Sequence, residues 1–480
     1  MSADQERLDK SSRIITVLVP LVLVLLVVVL KLPVLHTPYY WDEAGAYFAP
    51  SLWLSSRDLV DAFPGRHAAE IFFGHPPLLY LSTAFLFKLF GPAPAVAHLP
   101  IILFAAFGVL YTYKTGVLLF SREIGIGAAV MLISSPLYFT QSGMFLGDIP
   151  VAACSVAAVF YYLRRSSYRY LLFGTVAVLI KEHAALLILL LVLYEFRKSS
   201  GDAAINRRRL LLSAPLMILG IFFLMQKLMT GSFLPNPYFN SNPFLSIAPS
   251  KLAFKIAFVN YWAFFAQGRF LITMVIMIAV WRFRRSLPEA FPLFALIIGG
   301  YVAAYSVIYF IPRYILIVMP FICLLGSASL ALLVQNKLRF AAAVAAFALT
   351  FIHIPDLRSR GYDNFETSMQ YLDVVSIHRQ AASFLEQAGS GELIYAPWPL
   401  SSVWAKTDYG YLKTPLKMTS DSNSSWKYVV QTPQADRAQV EAIGVLISRG
   451  GLVNVAHFEC SGKVIDILSR KVSVPKGREL

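Results

Sequence analysis

Asp42 and Glu43 stand side by side in PYYWDEAGAY, shortly after a long aliphatic run that ends near Leu32. Adjacent acids alone mean little, because 27 Asp and Glu among 480 residues give about 1.5 such pairs by chance. Position singles this pair out: it follows Tyr39, Tyr40 and Trp41, whose rings suit the headgroup layer of a bilayer. Other ionisable residues interrupt apolar stretches in the same manner. They are Asp148 in MFLGDIPVAA, Lys181, Glu182 and His183 in LIKEHAALL, Arg269 in AQGRFL, Arg313 in YFIPRYILIVMP, and His75 ahead of Pro76 and Pro77. An acid among cations suits attack by a hydroxyl on a carbon whose leaving group is an anion. A carboxylate takes the hydroxyl proton, and Lys or Arg stabilises the charge developing on the leaving group. A sugar carried on a polyprenyl phosphate supplies such a leaving group. One base facing it across the anomeric carbon implies inversion.

Each residue also has a plainer reading. Arg313 would serve as a snorkelling anchor, Lys181 and Glu182 would pair with each other, and Asp148 would cap a helix. His75 would be a satisfied loop histidine, and Arg269 is the weakest individual case. What favours chemistry is a shared membrane face, and that depends on the path of the chain.

Composition sets the path. The chain is 57% hydrophobic and 14% charged, against roughly 25% charged in a soluble domain, with a mean hydropathy of +0.61. These values describe a polytopic α-helical membrane protein. The run from Ile14 to Leu32 is close to the ~20 residues of a span, and no cleavage motif follows it. The net charge of +15 sits in short clusters between apolar segments, such as Arg164, Arg165 and Arg169, or Arg207 to Arg209. Short basic loops stay cytoplasmic, so the charge does not imply nucleic acid. Three cysteines are too few for a disulfide framework.

With every basic cluster inside, the N-terminus is cytoplasmic and eleven spans are expected. Their approximate ranges are 14–34, 95–119, 125–143, 148–163, 169–181, 184–196, 209–227, 268–283, 290–310, 314–334 and 338–354. Residues 169–196 are short for two spans and suit a shallow hairpin. A first outer loop covers about 35–94, with interfacial helices after Glu43 and a re-entrant or surface segment at 72–91. A second outer loop covers about 228–265. In this arrangement Asp42, Glu43, His75, Asp148, Lys181, Glu182, Arg269 and Arg313 all reach the outer face. The membrane domain is 1–355, and the polar tail, 356–480, lies outside as a small α/β unit. Helices are expected from Ser376 to Gln387 and in QADRAQVEAIGVLISRGG. Strands are expected in ELIYA and WKYVV, with a hairpin of LVNVAHFEC and VIDILSR across SGK. No acid–base set is visible in the tail.

YYWDEAGAY, GHPPLLYLSTAFLFKLFG, GDIPVAA, LIKEHAALL and PRYILIVMPF occur in that order. Together they resemble the GT-C glycosyltransferases related to protein O-mannosyltransferases, lipid A aminoarabinose transferases and rhizobial lipopolysaccharide galacturonosyltransferases, over roughly 14–355. The resemblance implies a GT-C membrane domain using a polyprenyl-phosphate sugar on the outer face of the bacterial inner membrane, or in the ER lumen. It implies a glycan, lipid or protein acceptor. It makes Asp42 the base with Glu43 in support, places Asp148 in the same cavity, and sets Lys181 and Arg313 at the lipid phosphate. Some relatives carry a Lys between the His and the prolines. Here His75 runs straight into Pro76, so His75 or Arg269 would substitute. No cofactor is required. A divalent metal on Asp42, Asp148 and His75 is conceivable by donor type but not favoured.

Two rival readings remain at this level. A transporter or flippase would place its charges near the bilayer midplane. A phosphoethanolamine transferase would carry a large metal-binding hydrolase domain.

Overall fold

The computed structural model describes residues 3–63, 65, 71–72, 74–197, 203–233, 249–353, 366–388 and 391–470. Helix α1 (Ala3–Lys31) leads into the outer loop, where a π-helical turn (Glu43–Phe48) runs into α2 (Ala49–Ser55). Helix α3 (Leu78–Phe90), 13 residues long, starts directly after the two prolines following His75. Then come α4 (Pro94–Leu119), α5 (Arg122–Ser134), α6 (Pro136–Gln141), α7 (Asp148–Leu163), α8 (Ser167–Ile180) and α9 (Ala184–Phe196). The membrane part continues with α10 (Ala203–Thr230), α11 (Pro249–Asn260), α12 (Arg269–Phe283), α13 (Ala290–Val307), α14 (Met319–Val334) and α15 (Lys337–His353).

Local chemistry sets the breaks. The Ser121 hydroxyl accepts from the Ile124 amide and starts α5. Pro136 forces extended backbone on Ser135 and begins α6 as a separate helix. Helix α7 is buried along almost its whole length, and its VAACSVAAV run lets α4, α8 and the 312–317 turn approach closely. Gly116 and Gly125 do the same between α4 and α5, since a Cβ on Gly116 would lie 2.5 Å from the Gly125 Cα. Outside this packed centre the apolar side chains face outward, as Leu21, Leu25, Met277 and Trp281 do. Among the described residues, five helical segments are long and apolar enough to cross a membrane, and five further apolar helices have 10–17 residues.

The expected second outer loop is partly helical. Helix α11 occupies 249–260 and continues through a π turn (Tyr261–Phe265) and a break at 266–268 into α12. Its LAFKIAFV run carries enough apolar surface to extend the helix. Residues 234–248 of that loop, and the domain boundary near 355, lie outside the described residues.

In the tail, α16 (Tyr371–Ala388) and α17 (Arg437–Ser448) accompany five strands. These are β1 (Leu393–Tyr395), β2 (Lys417–Thr419), β3 (Tyr428–Gln431), β4 (Leu452–Cys460) and β5 (Lys463–Arg470), in the order β2-β1-β3-β5-β4. Strand β1 runs parallel to β2 and β3, and β3, β5 and β4 are antiparallel. The expected hairpin turns at Ser461 and Gly462, both at positive φ as a two-residue turn requires. Strand β2 has only three residues and no sequence pattern announces it. The tail packs on the outer loop: the Tyr39 amide donates to the Tyr409 carbonyl at 3.1 Å, and Trp41 meets the Trp398 ring edge-on at 4.9 Å.

Candidate active site

Five charged side chains converge at the ends of α7 and α8, in the outer loop, in the turn before α14 and in the segment leading to α16. Pro312 starts the 3₁₀ turn Pro312–Ile317, which carries Arg313 inward. The Arg313 guanidinium is spread over three carboxylates. Its Nη2 donates to Asp42 Oδ2 at 2.6 Å, its Nε lies 3.1 Å from Asp148 Oδ2, and its Nη1 is paired with Glu366. Lys181, at the end of α8, donates from Nζ to Asp148 Oδ1 at 2.8 Å and lies 4.2 Å from the centre of the Tyr314 ring. Asp148 is in the first turn of α7, where helix amides favour an anion. It bridges the two cations and is 1% exposed. Asp42 is 34% exposed, and its Oδ1 has no partner among the described residues.

Electrostatics keep Arg313 charged. Burial works to lower the Arg313 pKa, but Asp42 and Asp148 outweigh it and raise it. In the adjoining turn, Glu182 Oε2 meets His75 Nδ1 at 2.9 Å. Burial would raise the Glu182 pKa, yet His75 and His183 hold it down at about 2. His183 is pushed to about 3 by burial and then by Lys181, so it stays neutral.

Asp42, Asp148, Lys181 and Arg313 are therefore brought together, with His75 and Glu182 paired at the neighbouring turn. Glu43 is not brought to that cluster. Trp41 adopts φ +50°, a conformation rare outside glycine, just ahead of the acids, and the helical backbone from Asp42 into Glu43 aims the two consecutive side chains in different directions. Glu43 turns into the core, where Oε1 accepts from the Phe145 amide at 2.6 Å and pairs with His98, while Oε2 accepts from the Tyr40 amide at 3.1 Å. Arg269 also stands apart: its Nε donates to the Trp262 carbonyl at 2.9 Å and its Nη1 to Gln267 Oε1 at 3.3 Å. It reaches the cluster only indirectly, since Gln267 donates to the carbonyl of Thr367, next to Glu366. The Asp42, Asp148 and His75 metal set is not assembled, because the aspartates bind Arg313 and His75 binds Glu182. Among the described residues no three His, Cys, Asp or Glu side chains form a metal-binding group.

Sequence reasoning missed Glu366, His98 and Lys31. The latter two carried the signal used for the others, an ionisable residue interrupting an apolar run. Glu366 carried none, since it sits in the polar tail.

A family model described as dolichyl-phosphate-mannose-protein mannosyltransferase matches residues 74–226. The chain is similar to the crystal structure of ArnT from Cupriavidus metallidurans in the apo state, at 16% identity and a TM-score of 0.59. The match covers 93% of this chain and 97% of that one. ArnT bound to undecaprenyl phosphate matches with the same identity and coverage, at a TM-score of 0.55. A comparison with curated proteins finds no match. The fold is the ArnT-like GT-C fold, with apolar helices that make the chain an integral membrane protein.

Proposed function

We propose that this protein is a membrane glycosyltransferase that moves a sugar from a polyprenyl phosphate onto an acceptor hydroxyl, with inversion, at the outer face of the bacterial inner membrane. The observation that carries this reading is the Arg313 cluster. A guanidinium and an ammonium sit beside one partly exposed carboxylate, Asp42, at a span-end face. The phosphate-linked donor is supported by the description of the matching family and by the undecaprenyl phosphate bound to ArnT. The charges lie at helix ends and turns, which disfavours a transporter pathway through the midplane.

The steps follow from the residues. Asp42 Oδ1 accepts the proton of the acceptor hydroxyl, whose oxygen attacks the anomeric carbon from the face opposite the phosphate. The bond from that carbon to the phosphate oxygen breaks, and the lipid phosphate leaves with the electron pair. Arg313 and Lys181 stabilise that charge, so no acid is needed to protonate the leaving group. Asp148 holds both cations in place. Arg313 already meets three carboxylates, so an incoming phosphate must replace one. Glu366 yields, because Asp42 and Asp148 are held by the packed loop and α7.

The test is transfer by purified protein supplied with polyprenyl-phosphate sugars and an envelope extract from a deletion strain. Release of polyprenyl phosphate with a glycosylated acceptor, slowed at least about a hundredfold by Asp42→Asn, is expected. Translocation of the lipid-linked sugar without transfer overturns the reading.

A further inference from the structure

A cavity of about 620 Å³ lies between α1, α5, α6, α15 and the segment 368–370. Leu26, Leu30, Ile133, Phe351 and Ile352 make much of its wall apolar. Leu26, Leu30 and Ile352 are also 41%, 43% and 67% exposed, on the outward faces of α1 and α15. The cavity therefore opens sideways, toward the layer that bilayer chains occupy. Thr140, Gln267, Ser368 and Gln370 supply a polar part of the wall. The Thr140 hydroxyl is buried with no hydrogen-bond partner among the described residues.

Lys31 stands behind this wall. It is 1% exposed, and its ammonium lies 3.5 Å from the centre of the Phe139 ring and 3.7 Å from the Met369 sulfur. Phe139 and Met369 both line the cavity. A smaller space lined by Lys31 and Ser142 shares Ile133 and Phe139 with it. No carboxylate reaches Lys31 among the described residues. A ring face and a thioether offset only part of the cost of burying an ammonium. An anion completes the site, and Met369 is flexible enough to admit one.

We propose that this cavity seats the acceptor, a membrane lipid whose acyl chain fills the chamber and whose anionic headgroup pairs with Lys31. The inference rests on the transferase reading and assigns its acceptor class. The donor cations, Lys181 and Arg313, are carried by turns after α8 and before α14, and neither turn lines the cavity. Met369 and Glu366 are three residues apart, at most about 11 Å of backbone. A headgroup held at Lys31 thus extends along 366–369 toward Arg313 and Asp42.

The test uses the full chain in phosphatidylcholine nanodiscs, with phosphatidic acid carrying a photoreactive group in its acyl chain. Labelling is expected within 26–30 and 348–352, and to fall at least fivefold in Leu30→Trp, which fills the chamber, and in Lys31→Met. Undecaprenyl phosphate binding should change less than twofold in both variants. In the transfer assay, Leu30→Trp should raise the acceptor KM and leave the donor KM unchanged. Displacement of the probe by undecaprenyl phosphate, equal labelling by diacylglycerol, or a water-soluble acceptor overturns the proposal. Labelling lost in the variants with the acceptor KM unchanged sinks the acceptor role alone, whereas transfer absent with every donor sinks the transferase and the acceptor role together.

Discussion

Asp42 and Glu43 are consecutive, yet they serve regions of opposite character. Asp42 is the most exposed member of a largely buried cluster in which Arg313 meets three acids and Lys181 meets one of them, Asp148. Glu43 is 1% exposed and ties the outer loop to α4 and to the turn before α7 through His98 and two backbone amides. The difference teaches that of two consecutive carboxylates one keeps an exposed edge while its neighbour is consumed by the fold, and the proposed reaction needs the exposed one. A carboxylate with both oxygens engaged inside the core is a poor base for a substrate. Its value is in holding the loop that presents the other.

The comparison is broken or sharpened by substitution. Asp42→Asn keeps shape and removes basicity, so transfer should fall by roughly 10²–10⁴-fold with donor affinity little changed. Near-wild-type turnover in a folded variant would sink the mechanism. Next, Lys181→Ala and Arg313→Lys should each lower kcat/KM for the donor by about ten- to hundredfold, since a charge-assisted hydrogen bond contributes roughly 1.5–3 kcal/mol. Donor kinetics like the wild type in both would reduce them to anchors. Glu43→Gln should act on stability instead, lowering it by about 1–3 kcal/mol in a thermal melt while turnover per folded molecule stays within about threefold. A catalytic loss as large as that of Asp42→Asn, with an unchanged melt, would erase the distinction between the two acids.

Two smaller effects test the tail's side of the comparison. Glu366→Gln removes the carboxylate competing for Arg313, so donor KM should fall severalfold; a rise would mean that Glu366 assists binding. His378 is fully buried against Tyr40 and Trp404, and burial pushes its pKa down to about 3. The unfolded chain, with the ordinary histidine value near 6.5, binds the proton first as pH falls. Stability is therefore lost progressively from about pH 6.5 toward 3, and His378→Phe should flatten the decline of the melting temperature over that window. An unchanged slope would show that other groups set the acid limit.

Much was legible in the chain because membranes impose simple rules. Apolar runs such as 94–119 and 290–307 appear as helices near the expected limits, since backbone groups in lipid must bond internally. The tail's α16, α17 and closing hairpin followed from periodicity and turn chemistry. The GT-C fold implied by the ordered motifs is the fold observed. Helix α11 was misplaced into a loop because its polar flanks hid an apolar face.

The sequence by itself determined which ionisable residues were out of place: Asp42, His75, Asp148, Lys181 and Arg313 interrupt apolar stretches where a charge is costly and needs a reason. Only the tertiary structure decided their partners. Sequence adjacency paired Asp42 with Glu43, and Lys181 with Glu182. Space pairs Asp42 with Arg313 across 271 residues, Lys181 with Asp148, and Glu182 with His75. It also draws Glu366 from the tail onto Arg313 and leaves Lys31 with a ring and a sulfur. The physical reason is that desolvation acts on each residue alone and is written in its local neighbours, whereas Coulomb attraction acts through distances that only packing creates.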